Sequence, residues 1–449
     1  MPSWWIAAAA LAGPAPIDEV PFGPWCRPIP HTTQRDLPEG VPGNALRRRI
    51  INVDGRAGEP EDRLHPEALC NDGSPGIYYV RAGALEHRDD WIIHLDAGSG
   101  CDTAAACVDR WCGRGFYTAE KMSSLRSHST LRGFGIFDGD PERNAFAGWN
   151  HVFVYYCTSD FWTGTTPAAV LSPAPRPGPA FTLNFTGVHV LDAVLSELQD
   201  HPTKLTEIGL PDLDAANTVL LTGSSAGAVG LSAHVDRVAD ALRVRTPGVR
   251  VRAIADSFHP PSGPTRARDP WGSEWPADHD AELRAMQARV EAAWEPTWDA
   301  SCLAAHPDDS WRCYDGGHVW QHHTSTSLFS YQDQADPLIC PDGCAVQVRH
   351  QLRSLAELDD PAFVADEAVE YAGDLPQAWF SPRCGHHTAL ASAADGGRRF
   401  LADALPDRDS PDATWWTYHD AVGAWLDGGV PRLVRSLAPG PSCPDRPDD

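Results

Sequence analysis

Apolar residues in this chain fall into two spacings that alternate along most of its length. Short β-branched and aromatic runs read as strands: Ile77-Tyr78-Tyr79-Val80, Trp91-Ile92-Ile93-His94-Leu95, Val152-Phe153-Val154-Tyr155-Tyr156, Val219-Leu220-Leu221-Thr222, and the segments 249–255 and 325–331. Helical spacing marks 187–198, where Val188, Val190, Leu191, Val194, Leu195 and Leu198 share a face, and it extends over 228–243, 278–293, 346–358 and a Trp-rich segment near the C-terminus. Strand and helix in alternation predict an α/β fold, a mainly parallel central sheet covered by helices on both faces. The first two strands, joined by the turn-prone Glu86-His87-Arg88-Asp89, read as a hairpin or as neighbours in the sheet.

The remaining segments organise around that core. Residues 1–18, with Trp4-Trp5-Ile6, four alanines and Leu11 ahead of Pro14, read as a secretory signal. Residues 19–74, rich in Pro and Arg, are expected to wrap the surface, with regular structure starting near Gly76. Residues 75–438 form the catalytic domain, and 439–449 a disordered tail. The Pro-rich stretch 173–179 reads as loop. Between about 260 and 324 the alternation breaks, which predicts a lid or cap that Cys302 and Cys313 could staple.

Composition narrows the partners. Of the 449 residues, 42% are hydrophobic and 22% charged, an ordinary globular balance, and no run approaches the eighteen apolar residues of a membrane span. A formal charge of -25 repels polyanions, so nucleic acid is excluded as a partner and a neutral or weakly charged ligand is favoured. The twelve cysteines include no CxxC pair and no Cys-His set with zinc-finger spacing, which points to disulfides, an oxidising compartment and no metal.

The chemistry centres on Gly223-Ser224-Ser225-Ala226-Gly227, set between a strand and a helix. A Gly-x-Ser-x-Gly elbow needs small flanking residues so that a sharp turn can close and the serine hydroxyl stand clear, which makes Ser225 the candidate nucleophile of an α/β-hydrolase-like fold. In such folds the acid and then the base follow the serine in the chain. Asp336, just past the strand 325–331, is the candidate acid, and Asp333 is its rival. Among His350, His386, His387 and His419, the pair His386-His387 lies in the loop after the last strand, Ala378-Trp379-Phe380, where the base belongs. A second backbone N–H for the oxyanion would come from Leu95-Asp96-Ala97-Gly98-Ser99-Gly100-Cys101.

Together, Trp91 to Cys101, Arg110-Trp111, Lys121-Met122-Ser123-Ser124, the run WNHVFVYYCTSDFWTG from Trp149, LLTGSSAG from Leu220, His234-Val235-Asp236-Arg237, Ala255-Asp256-Ser257 and Cys384-Gly385-His386-His387 resemble the pectin acetylesterase/Notum family of serine carboxylester hydrolases. The resemblance implies Ser225 as nucleophile, Asp336 as acid and His387 as base, with Gly98, Ser99 and Ala226 forming the oxyanion hole. It implies no cofactor, and a monomer acting on a small ester or an O-acylated polysaccharide, most simply an O-acetyl ester. Asp160 and Trp162 fall in the family run as a structural loop. This chain departs from the family by carrying Ala97 where a glycine is expected, which predicts strain if that position needs a positive φ. Two other classes share the scaffold: a non-catalytic binding protein, and a lipase- or peptidase-type serine hydrolase.

Overall fold

The computed structural model describes residues 15–19, 39–40, 43–51, 65–113, 119–172, 178–200, 208–257, 279–333, 336–338, 377–382, 384–392, 398–401, 404–406, 415–428 and 433–435. The signal segment up to residue 14, the helical stretch 346–358 with His350, and the 439–449 tail lie outside them.

The strands, in chain order, are β1 (Ala15–Pro16), β2 (Ala45–Ile50), β3 (Ile77–Arg81), β4 (Asp90–Leu95), β5 (Thr130–Arg132), β6 (Asn150–Val154), β7 (Thr166–Leu171), β8 (Phe181–Phe185), β9 (Thr218–Ser224), β10 (Arg250–Asp256), β11 (Ser327–Tyr331), β12 (Ala378–Ser381), β13 (Ala404–Pro406), β14 (Trp415–Thr417) and β15 (Leu433–Arg435). Ten of them form one sheet in the order β15-β12-β11-β10-β9-β4-β6-β3-β2-β5. Every pairing from β15 to β6 is parallel, and those of β3, β2 and β5 are antiparallel. This is the mainly parallel α/β sheet expected. β9 is buried along its whole length, as a central strand with both faces covered must be.

Two expectations change. β3 and β4 are neither a hairpin nor neighbours, because β6 lies between them, antiparallel to β3 and parallel to β4. Regular structure begins before Gly76: β2, inside the arginine-rich extension, pairs with β3 and β5. The Pro-rich stretch is flanked by β7 and β8, an antiparallel pair that β1 extends into a small separate sheet. β7 carries alternating exposed residues, so it lacked the continuous apolar signal of the central strands.

Helices cover the sheet as their apolar stripes dictate. The helix Gly187–Asp200 and the elbow helix Ala226–Arg245 bury their apolar residues in one cluster with β4, β6, β9 and β10. On the other face, Tyr418, Val422 and Trp425 of the helix Tyr418–Leu426 pack with Phe329, Tyr331 and Phe380. The insertion after β10 contains the helices His279–Trp294, Ala300–Ala305 and Gly316–His322, and the Cys302–Cys313 disulfide staples it as expected. Trp294 anchors it beside the loop after β4: its Nε1 donates to the Cys101 carbonyl at 3.1 Å and its ring meets Phe161 edge-on. Cys70–Cys157 and Cys101–Cys107 are also bonded. No helix among the described residues is long and apolar enough to cross a membrane.

Candidate active site

The chemistry gathers at the carboxyl ends of five adjacent parallel strands, the edge where open α/β sheets bind ligands. Asp96 follows β4, Ser225 follows β9, Asp256 ends β10, Asp333 and Asp336 follow β11, and the His387 loop follows β12.

At the elbow, Ser225 has φ 51° and ψ -116°, a conformation that costs a non-glycine residue about 1–3 kcal/mol. The surroundings hold it there. Its N–H donates to the Asp256 carbonyl at 2.8 Å, and its carbonyl accepts from Ala228 and Val229, opening the helix. Its hydroxyl makes no capping bond to that helix. Both flanking glycines are sterically required: a Cβ on Gly223 would sit 2.3 Å from the Gly227 carbonyl oxygen, and one on Gly227 would sit 1.9 Å from that of Leu95. The second contact presses the helix start, with the Ala226 N–H, against the loop after β4.

That loop is held from inside. The Asp96 carboxylate pairs with the buried Lys121 ammonium and accepts from the Tyr156 N–H at 3.3 Å. Trp162 Nε1 donates to the Asp96 carbonyl at 3.1 Å, and Arg110 donates to that of Gly98 at 3.1 Å. The loop's ends are also tied through their N–H groups, Asp96 to the Val154 carbonyl at 3.1 Å and Cys101 to that of Ser159 at 3.0 Å. The positive φ values fall on Gly98 and Ser99, not on Ala97, so the strain expected at Ala97 does not arise. Gly98 has a second reason to be glycine, since a Cβ would lie 2.6 Å from the Tyr156 ring.

After β11 and β12, His387 Nδ1 lies 2.8 Å from Asp336 Oδ2. Asp336 is fully buried, and its Oδ1 accepts from the Leu338 N–H at 2.9 Å. The His387 side chain is 11% exposed. Asp333 is placed differently: its carboxylate accepts from the Cys384 and His386 N–H groups, both at 2.9 Å, and so shapes the turn ahead of His387. His419 accepts from the Ala145 N–H at 3.0 Å and packs against Phe146 and Phe400, in a structural setting.

Sequence reasoning gave no role to Asp256, which joins the two halves. Its carboxylate accepts from Ser224 Oγ at 2.7 Å in the elbow and from the Ala389 and Leu390 N–H groups, each at 3.0 Å, in the base loop. Ser257, at φ 59°, accepts from the Thr388 N–H at 2.8 Å, and Arg399 donates to the His387 and Thr388 carbonyls. The base loop is therefore clamped on both sides of His387. Burial pushes the Asp256 carboxyl up to about 6, against the pull of these donors. Asp160 is raised to about 6 for the same reason; it accepts from Thr158 Oγ1, the Trp162 N–H and the Gly187 N–H, bracing the structural loop that carries Trp162.

Comparisons with known proteins find carboxylesterase relatives. Residues 61–259 match the family model described as Pectinacetylesterase. The palmitoleoyl-protein carboxylesterase NOTUM of Drosophila melanogaster is 28% identical over 328 residues, covering 72% of this chain and 43% of the relative. The enzyme of that name from Homo sapiens is 32% identical over 198 residues, covering 43% and 34%. Pectin acetylesterase 11 of Arabidopsis thaliana is 27% identical over 198 residues, covering 44% of each. The chain thus spans less than half the length of these curated relatives. The solved structure of the Wnt deacylase Notum from Drosophila superimposes with a TM-score of 0.59 at 21% identity, over 89% of this chain and 99% of that one, which establishes the α/β-hydrolase-like fold.

Proposed function

The chain belongs to the pectin acetylesterase/Notum family, and from that premise we propose that it is a secreted serine carboxylesterase that removes O-acyl groups, O-acetyl esters first among them. What supports the reading is the strained Ser225 turn between β9 and its helix, together with a His387–Asp336 contact of 2.8 Å in a loop that Asp256 ties to that turn.

In this mechanism Ser225 Oγ attacks the ester carbonyl while His387 Nε2 takes its proton. Asp336, bonded to Nδ1, fixes the tautomer that leaves Nε2 free to accept and stabilises the imidazolium that forms. The Gly98, Ser99 and Ala226 N–H groups hold the oxyanion. His387 then protonates the departing alcohol, and water, deprotonated by the same imidazole, releases the acid and restores Ser225. The disulfides fit an oxidising compartment, and the formal charge of -25 fits a neutral or weakly charged ester.

A fluorophosphonate probe, followed by a panel of p-nitrophenyl acyl esters, acetylated xylan, acetylated pectin and a peptide amide, tests the proposal. The expected result is labelling of the wild type but not of Ser225→Ala, with ester turnover highest for acetyl. Amide turnover without ester turnover, or labelling that survives Ser225→Ala, would overturn it. A preference for long acyl chains would keep the mechanism and replace the substrate.

A further inference from the structure

The insertion between β10 and β11 brings histidines together away from the ester chemistry. His306 is the C-cap of the helix Ala300–Ala305, His323 is the C-cap of the helix Gly316–His322, and His318 and His322 stand one turn apart on the latter. The Cys302–Cys313 disulfide draws the first helix toward the turn that precedes the second. His306 Nε2 and His318 Nε2 lie 2.9 Å apart, and the His323 ring centroid is 5.2 Å from that of His318 and 5.5 Å from that of His306. One ring nitrogen each of these three residues, with the Cys302 sulfur, falls within 4.8 Å of the others.

Hydrogen bonding does not account for this cluster. A neutral imidazole has one N–H and one lone pair, so the His306–His318 contact uses a donor from only one ring. His323 Nε2 is enclosed with no hydrogen-bond partner among the described residues, while its Nδ1 faces Ser301 Oγ at 3.4 Å. Tetrahedral zinc holds imidazole nitrogens at about 2.0–2.1 Å, which puts ligand atoms about 3.3 Å apart. The His306–His318 pair, at 2.9 Å, is within a few tenths of an ångström of that spacing, and a His323 ring nitrogen lies within 4.8 Å of both.

We propose that His306, His318 and His323 form a structural site for a divalent transition metal of the zinc class. Three imidazoles without a carboxylate suit zinc, copper or nickel over calcium or magnesium. Cys302 is committed to its disulfide, so the fourth position falls to water. The ion fastens the return of the insertion into the sheet. Directly after His323, the Ser325 and Thr326 N–H groups and hydroxyls bond the Asp236 carboxylate of the elbow helix at 2.6–3.0 Å, and β11 follows, leading to Asp336.

The test uses full-length protein without a polyhistidine tag, stripped with a chelator and dialysed against zinc. About one zinc per chain is expected, with a higher thermal midpoint. In His306→Gln and His318→Gln the affinity falls at least about tenfold while p-nitrophenyl acetate hydrolysis persists. Cobalt(II) bound to the wild type should give the intense absorption of a tetrahedral site, a readout that needs no variant to fold. Substoichiometric zinc in the wild type, a weak octahedral cobalt spectrum, or binding unchanged by both substitutions would overturn the proposal.

Discussion

Replacing Asp256 by asparagine separates the charge of this carboxylate from its acceptor role. The carboxyl is fully buried and raised from 3.8 to about 6, so holding it ionised at pH 7 costs about 3 kcal/mol relative to its protonated form. Asparagine removes that cost and keeps one oxygen where Oδ2 receives Ser224 Oγ and the Ala389 and Leu390 N–H groups. Its amide then sits where Oδ1 is, 3.1 Å from the Ala389 nitrogen, a donor facing a donor worth about 1–3 kcal/mol. The two effects nearly cancel, so Asp256→Asn should leave stability at pH 7.5 within about 2 kcal/mol of wild type. Asp256→Ala strands three donors and should lose at least about 3 kcal/mol. The pH dependence carries the sign. The folded protein takes up this proton near 6 and the unfolded chain near 3.8, so wild type gains stability relative to Asp256→Asn as pH falls through that window. Urea unfolding at pH 7.5 and 4.5 should show a relative gain of about 2 kcal/mol. If Asp256→Asn is as unstable as Asp256→Ala at pH 7.5, or if the wild-type advantage shrinks on acidification, the reasoning fails.

Further substitutions examine the parts of the site separately. Asp336→Asn should lower kcat by about 10⁴-fold by favouring the wrong His387 tautomer, whereas Asp333→Asn should act mainly on stability through the 384–386 turn; equal kinetic losses in p-nitrophenyl acetate hydrolysis would contradict the assignment. Gly227→Ala places a Cβ 1.9 Å from the Leu95 carbonyl oxygen, so it should abolish fluorophosphonate labelling or prevent folding, and a fully active variant would show that the elbow does not press on the loop after β4. Lys121→Met leaves the Asp96 carboxylate buried without its ammonium and should cost about 3–5 kcal/mol in chemical denaturation, a loss that Asp96→Asn in the same chain should partly relieve.

What the sequence revealed of this site depends on how far each feature's signal extends along the chain. Ser225 was legible because its requirements are local: a buried strand, two glycines and a helix within a few residues. His387 was legible from chain order, since one loop after the last apolar run held the candidate pair. The choice of Asp336 over Asp333 rests on which carboxylate meets an imidazole and which meets backbone N–H groups, a difference that two aspartates three residues apart do not signal in the sequence. Asp256 was invisible for a topological reason. Its role exists only because β10 lies between β9 and β11, so that one carboxylate touches both the elbow and the base loop, 133 residues apart in one of these contacts. The same blindness made β3 and β4 look like partners, because the strand that separates them comes more than fifty residues later. Lys121 did leave a trace. Among 36 basic residues only Lys121 and Lys204 are lysine, and a compact ammonium is what a single buried carboxylate oxygen can pair with, where the five-donor arginine fork would leave N–H groups stranded. In a chain so biased toward arginine, a lysine marks a place where the shape of the cation matters.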